Sequence, residues 1–380
     1  MKKKVLFLFS LVVLVLALGN CKRDPAVTKH TNPNDPDSLY QGTKYILTIP
    51  FQFPSIKSAY KDSLTVEGIA LGRRLFYDKH LSVNGQMACA TCHLLQHSLA
   101  DTVAFAMNEF GLNKRNAPML QNLAWAPYLF WDGRQPTLAA QAQDAFHNEL
   151  GLVVTNAISY LQADTTYARL FKKAFGRPGI VTEREIYLGI QEFLMTAVSA
   201  NSRFDSIQRG QASFTADESD AFYNLFITEK GECFHCHAFG NNLLMANYAD
   251  GAVFRNDGLQ VAATINGFQD QGRGAITGVI TDYGLFKNPS LRNIAVSAPY
   301  MHDGRYKTLA QVINFYSDSL NLTPNADPVI AKHMDTTSTG QHLLTGGFHL
   351  SAQQKAELLI LLNDMTDTSF LNNPNLKSPF

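Results

Sequence analysis

Two short runs, CATCH at residues 89–93 and CFHCH at 233–237, repeat the order Cys-x-x-Cys-His. Two thiols at this spacing can close a redox disulfide or share a zinc ion, and neither use needs a His directly after the second Cys. Covalent haem attachment does need it. The thiols add across the two vinyl groups of one porphyrin, and the adjacent imidazole then lies under the iron as its proximal ligand. Cys89, Cys92 and His93 are therefore one expected haem c site, and Cys233, Cys236 and His237 a second. The chain has five cysteines, four of them in these runs, so only Cys21 is left over. A zinc site built from both pairs, or a dithiol, is the alternative, and it gives His93 and His237 no reason to stand in matching places.

Cys21 closes a different kind of segment. MKKK precedes a largely apolar run from Val5 to Leu18, too short to span a membrane comfortably and typical of an export signal. The LGNC that follows resembles a bacterial lipoprotein cleavage box, with Asn20 departing from the small residue common before the Cys. Residues 1–20 are thus expected to be a lipoprotein signal peptide, with a mature chain lipid-anchored at Cys21 on the periplasmic side of a bacterial membrane. An uncleaved anchor and plain periplasmic release are the alternatives, and both keep the protein outside the cytoplasm. Residues 21–60, polar and Pro-rich at first, read as a tether and N-terminal arm. With 32 basic and 32 acidic residues the formal net charge is zero, which points to no nucleic-acid partner.

The elements that must position the two haem runs read mainly as helix. TADESDAFYNLFITEKG opens with a Thr215–Glu218 capping box, carries Phe222, Leu225 and Phe226 on one face, and stops at Gly231 before the second run. TEREIYLGIQEFLMTAVSA has the stripe Ile186, Ile190, Phe193, Leu194 and Ala197. The polar stretch 201–213 follows it, and the domain boundary is expected there, with an N-terminal haem domain at 61–205 and a C-terminal one at 206–380. An internal repeat supports this division. Pro118, Leu120, Asn122, Asp132, Gly133, Arg134, Thr137 and Leu138 each recur 171 positions later, at Pro289, Leu291, Asn293, Asp303, Gly304, Arg305, Thr308 and Leu309. Asp-Gly is ordinary turn chemistry. The Arg after each such turn, Arg134 or Arg305, could also pair with a haem propionate.

LGRRLFYDKHLSVNGQMACATCH, RNAPMLQNLAWAPYLFWDGR, GECFHCH and NPSLRNIAVSAPYMHDGR together resemble the bacterial diheme cytochrome c peroxidase family, including its MauG-like diheme enzymes. The resemblance covers about residues 62 to 370. It implies a mainly α fold of two cytochrome c-like helical domains in tandem with long loops. The N-terminal haem would meet peroxide, and the C-terminal haem would transfer electrons.

Family positions map onto this chain one by one. The peroxide-facing Gln falls on Gln141, ten residues after Trp131, and the Glu that accompanies it on Glu149 in HNELGL, two residues closer than the family spacing. Trp131 itself falls where the family has an aromatic between the haems. The distal His of many resting peroxidases would fall at Asn108, so the first site is expected to be open; His97 is the nearby imidazole to consider. The second haem's distal position falls on Tyr316, fourteen residues after His302, where standard peroxidases carry Met and MauG carries Tyr. Read on its own, TLAQVINFY is an amphipathic helix with Leu309, Val312, Ile313 and Tyr316 on one face, and Met301 is the rival ligand. The resemblance also implies a calcium ion between the domains, held by Asn116 and the backbone carbonyls of Ser297 and Pro299.

These expectations converge on a diheme peroxidase that reduces hydrogen peroxide to water with electrons from a small redox protein, a cytochrome c or a cupredoxin. A MauG-like oxidase that modifies side chains of a partner protein is the second reading. A non-enzymatic diheme electron carrier is the third, and Gln141 with Glu149 argues against it.

Overall fold

The helix Val66–Tyr77 begins where the side chain of Thr65 accepts a hydrogen bond from the Gly68 amide, and its buried face carries Gly68, Leu71, Gly72, Leu75 and Phe76. That face packs against the helix Glu183–Met195, which opens with a Thr182–Glu185 capping box. The expected stripe Ile186, Ile190, Phe193 and Leu194 is buried, but so are Glu185, Gln191 and Glu192, so beyond its exposed Arg184 this helix is largely enclosed. Ala197 is buried beyond its end. At the crossing a Cβ on Gly72 would stand 1.8 Å from the Gly189 carbonyl oxygen. Two glycines therefore let the backbones meet where any side chain would hold them apart.

This computed structural model describes residues 42–56, 60, 64–176, 180–238, 244, 253–333 and 345–380; the expected signal peptide, Cys21 and most of the tether lie outside that set. Helices dominate, joined by long loops and by three two-stranded antiparallel sheets, Met107–Asn108 with Gly111–Leu112, Phe254–Arg255 with Phe286–Lys287, and Leu320–Asn321 with Thr345–Gly346. No helix among the described residues is long and apolar enough to cross a membrane.

The Thr215–Glu218 capping box forms, but the helix it opens differs from the expected one. It is α-helical only over Ala216–Asp220, continues as a π-helix over Ala221–Phe226 and stops there. Beyond it the chain doubles back so closely that a Cβ on Gly231 would lie 2.5 Å from the Leu225 carbonyl oxygen. Phe222, Leu225 and Phe226 are all buried, as their spacing predicts.

The sequence repeat is also a repeat of conformation. Asn122 and Asn293 both take the left-handed backbone, at φ 59° and 58°, and each is followed by a short 3-10 helix, Leu123–Trp125 or Ile294–Val296. Gly133 and Gly304 turn the chain at φ 70° and 64°. Thr137 and Thr308 then cap the helices Leu138–Asn148 and Leu309–Asp318. Equivalent residues meet across the molecule, where the Gln121 side chain donates to the Arg292 carbonyl at 2.9 Å.

Tyr40–Phe380 forms one compact unit with two principal cores. One core draws on Leu71, Phe76, Trp125, Phe146, Ile186 and Phe193, and the other on Phe204, Phe222, Phe315, Phe348 and Leu361. The stretch 201–213 carries the helix Arg203–Gln208, capped by Ser202. Phe370, Leu371 and Leu376, which the sequence division assigns to the C-terminal domain, pack in the first core instead. Arg73 holds this tail through the Lys377 and Pro374 carbonyls at 2.6 and 2.8 Å, and the Tyr77 hydroxyl donates to the Leu376 carbonyl at 2.6 Å.

Candidate active site

Each Cys-x-x-Cys run is a single helical turn, Cys89–Cys92 and Cys233–Cys236, ended by its own His. His93 Nδ1 lies 2.7 Å from the Leu99 carbonyl oxygen, and His237 Nδ1 lies 3.0 Å from that of Pro289. A carbonyl only accepts, so both imidazoles carry a proton on Nδ1 and keep the Nε2 lone pair for a metal. Burial pushes His237 down to about 4, which also favours its neutral form. Cys92 and His93 line one large cavity, and Cys233, Cys236 and His237 line another. Burial pushes all four thiols up to about 12. The two pairs open on different cavities, and among the described residues no group of three metal-binding side chains includes any of these thiols. The fold thus does not gather the two pairs into one zinc site, while a turn, a neutral imidazole and a cavity fit a covalent haem at each run.

Gln141 and Glu149 both face the His93 cavity. The helix Leu138–Asn148 carries Gln141 near its start and ends on Glu149. Burial raises the Glu149 carboxyl above its ordinary range, with Arg134 opposing and Asp144 adding to the effect. Asn108 shares this wall, with its amide held between the Asn113 side chain at 2.6 Å and the Phe110 amide at 2.8 Å. Its hairpin is tied to this wall by the Glu109 amide, which donates to the Glu149 carbonyl at 3.0 Å. His97 turns elsewhere and donates from Nδ1 to the Val296 carbonyl at 2.9 Å.

Arg134 and Arg305 both line the His93 cavity. Arg134 pairs with Asp132 and Asp144 at 3.1 Å each, and Arg305 pairs with Asp303 at 2.5 Å. Carboxylates of the chain thus already engage both guanidiniums. Arg305 also serves the cavity of the other half of the chain rather than the His237 cavity of its own.

Trp131 lines both cavities, and its indole N–H donates to the Asn116 carbonyl at 2.8 Å. Its repeat counterpart is His302, whose ring centre lies 6.5 Å away and which stacks on Phe286 at 3.7 Å. Asn116 and Lys287 are likewise repeat counterparts, and all four residues form the wall common to the two cavities. Burial pushes His302 down to about 4 and Lys287 to about 8.

In the second cavity Tyr316 and Met301 both stand with His237, alongside Leu309, Val312 and Ile313 of the helix face read from the sequence. The Tyr316 hydroxyl donates to Asp257 at 3.4 Å. Burial first, and the Asp257 charge second, hold the Tyr316 phenol well above its usual range. Asn116, Ser297 and Pro299 line this cavity too. The Asn116 amide nitrogen donates to the Val103 carbonyl at 3.0 Å, which leaves its Oδ1 for a cation, and among the described residues neither the Ser297 nor the Pro299 carbonyl accepts a backbone hydrogen bond. That oxygen set fits a hard cation.

Sequence reasoning missed three charged groups here. Asp257 is one, and the others form an ion pair in which Arg115 joins Asp132 and Asp270 at 2.6 Å each on the first cavity. Asp270 lies between His237 and the second repeat copy, in the extra length that the first copy lacks, so counting repeats could not find it.

Residues 66–213 match the family described as di-haem cytochrome c peroxidase. The methylamine utilization protein MauG of Methylorubrum extorquens is 33% identical over 269 residues, covering 69% of this chain and 72% of that protein. A cytochrome c551 peroxidase of Nitrosomonas europaea is 32% identical, covering 64% and 70%. Among solved structures, a MauG-like protein associated with microbial copper homeostasis superposes with a TM-score of 0.74 at 31% identity, covering 88% of this chain and 99% of that one. The diheme peroxidase BthA of Burkholderia thailandensis shares the fold at 18% identity, with a TM-score of 0.62.

Proposed function

The chain belongs to the di-haem cytochrome c peroxidase family, a family of oxidoreductases acting on peroxide, and from that premise we propose that it reduces hydrogen peroxide to water with electrons from a small redox protein. The observation that carries this reading is the meeting of His93, Gln141 and Glu149 on one cavity whose far wall, Trp131, also borders the cavity of His237. Two haem c groups, held by Cys89, Cys92 and His93 and by Cys233, Cys236 and His237, would supply the iron for O–O cleavage and for storing electrons.

The chain's own residues divide the remaining work. Gln141 orients peroxide by hydrogen bonding, and Glu149, whose carboxyl stays protonated to higher pH than an ordinary one, moves the proton that the leaving oxygen needs. Asn108 holds the hairpin rather than blocking the site, because both ends of its amide are already bonded. Trp131 and His302 shorten the path for electrons across the common wall. Asp132, Asp144 and Asp303 do not exhaust the five N–H donors of either guanidinium, so Arg134 and Arg305 each keep an N–H for a propionate. Asn116 with the Ser297 and Pro299 carbonyls would hold Ca²⁺ at that wall, and a diacylated Cys21 would keep the enzyme at the periplasmic face of its membrane.

The test is rapid mixing of the fully oxidised holoprotein with peroxide. Glu149→Gln should slow the reaction by about 10²–10⁴-fold with both haems still attached. An unchanged rate would remove Glu149 from the mechanism.

One observation favours a second reading. Tyr316 lines the His237 cavity, and an oxygen ligand favours oxidised iron, which suits MauG-like oxidation of a partner protein's side chains. Electron paramagnetic resonance of the oxidised protein and of Tyr316→Phe separates the ligands. Loss of one low-spin signal in the variant assigns Tyr316, whereas an unchanged spectrum assigns Met301. Turnover with reduced cytochrome c would then favour the first reading over the second.

A further inference from the structure

The turn leading into the second Cys-x-x-Cys run, whose Glu232 also borders the His237 cavity, gathers Glu229, Glu232 and His235, with one ligand atom of each lying within 4.8 Å of the others. Glu232 has a left-handed backbone at φ 59°, uncommon for a residue with a Cβ, and its side chain is only 1% exposed. One of its oxygens is committed. Oε1 meets Lys332 Nζ at 2.6 Å and His333 Nε2 at 2.9 Å. Its Oε2 is buried without a hydrogen-bond partner, although His235 Nε2 stands 3.0 Å away. Glu229 divides its oxygens in the same manner, with Oε2 on the Lys332 ammonium and Oε1 3.3 Å from His235 Nε2. Each carboxylate thus gives one oxygen to the lysine and turns the other toward the same imidazole nitrogen.

The geometry points to a binding site for a first-row divalent transition-metal ion at Glu229 Oε1, Glu232 Oε2 and His235 Nε2. Ligands held about 2.0–2.2 Å from one ion stand roughly 3.0–3.5 Å apart at right-angled to tetrahedral spacing, and both nitrogen–oxygen separations here lie in that range. An imidazole beside two carboxylates suits Zn²⁺ or Cu²⁺, whereas Ca²⁺ and Mg²⁺ take oxygen alone. Glu229 is 68% and His235 30% exposed, so an ion enters from solvent and water completes its shell. Lys332 neutralises the paired carboxylates from their opposite oxygens and leaves the three ligand atoms clear. His333, bonded to Oε1, fixes the orientation of the buried carboxylate from behind.

The experiment uses tag-free holoprotein stripped with a chelator, dialysed against Zn²⁺ and counted by elemental analysis. One zinc per chain is expected. Glu229→Gln and His235→Asn should each weaken binding at least about tenfold, while Asp217→Asn, an exposed carboxylate elsewhere, should leave it unchanged. An unaltered haem absorption spectrum in each variant verifies the fold. Cu²⁺ should displace the zinc, following the order of intrinsic affinities. Absence of bound zinc, binding indifferent to both variants, or displacement by Ca²⁺ in place of Cu²⁺ would overturn the site.

Discussion

Glu192 lies 3% exposed between two helices, with one oxygen accepting from the Thr65 amide at 2.8 Å and from its hydroxyl at 3.1 Å. Burial pushes its pKa up to about 7, against 4.5 in an open chain. The native state therefore binds this proton more tightly than the unfolded one, so the contribution of Glu192 to stability is fully present below pH 4.5 and is lost as pH rises through about 7. Glu192→Gln should accordingly be more stable than the parent at pH 8, by roughly 2–3 kcal/mol, and the gain should shrink toward pH 5. Urea unfolding of both proteins at the two pH values checks this. Such a carboxylate was not legible beforehand, since its spacing on the helix reads as a polar position. Residues whose chemistry dictates their type were legible: His93 and His237 follow from the thiols beside them. Asp257 and the Arg115–Asp270 pair lie in loops without periodicity, and only the folded chain brings them to the cavities.

Among the elements, the crossing of Val66–Tyr77 over Glu183–Met195 depends on Gly72 and Gly189. Gly72→Ala must push the helices apart or strain them, because the obstacle is backbone rather than a movable side chain. A loss of about 1–3 kcal/mol is expected, read as a lower denaturant midpoint with an unchanged slope. A capping box at Thr215, and apolar spacing after Thr182 and Thr308, identified these helices from sequence, because those signals are local. The switch to π geometry at Ala221 was not readable. Phe222 and Phe226 stack 6.1 Å apart across that segment within a tertiary core, and no local pattern in the sequence encodes its five-residue hydrogen bonding.

Over the whole molecule, the repeat was the most legible feature, since matched turns need matched residues. The return of the C-terminus to the first core was the least legible, because Phe370, Leu371 and Leu376 have no counterparts to count against. Phe370, 2% exposed, anchors that return. Phe370→Ala should cost about 3–5 kcal/mol; the check is thermal unfolding monitored by circular dichroism together with protease sensitivity of the Val66–Tyr77 helix.

Arg73 and Tyr77 grip carbonyls of Pro374, Leu376 and Lys377, more than 290 residues downstream. In a polypeptide made from its N-terminus, these contacts are the last that the helix Val66–Tyr77 can gain. A chain that stops short of Pro374 leaves Arg73 and Tyr77 without these carbonyls, even with both Cys-x-x-Cys-His runs intact, so the tail acts as a seal over a helix made some three hundred residues earlier.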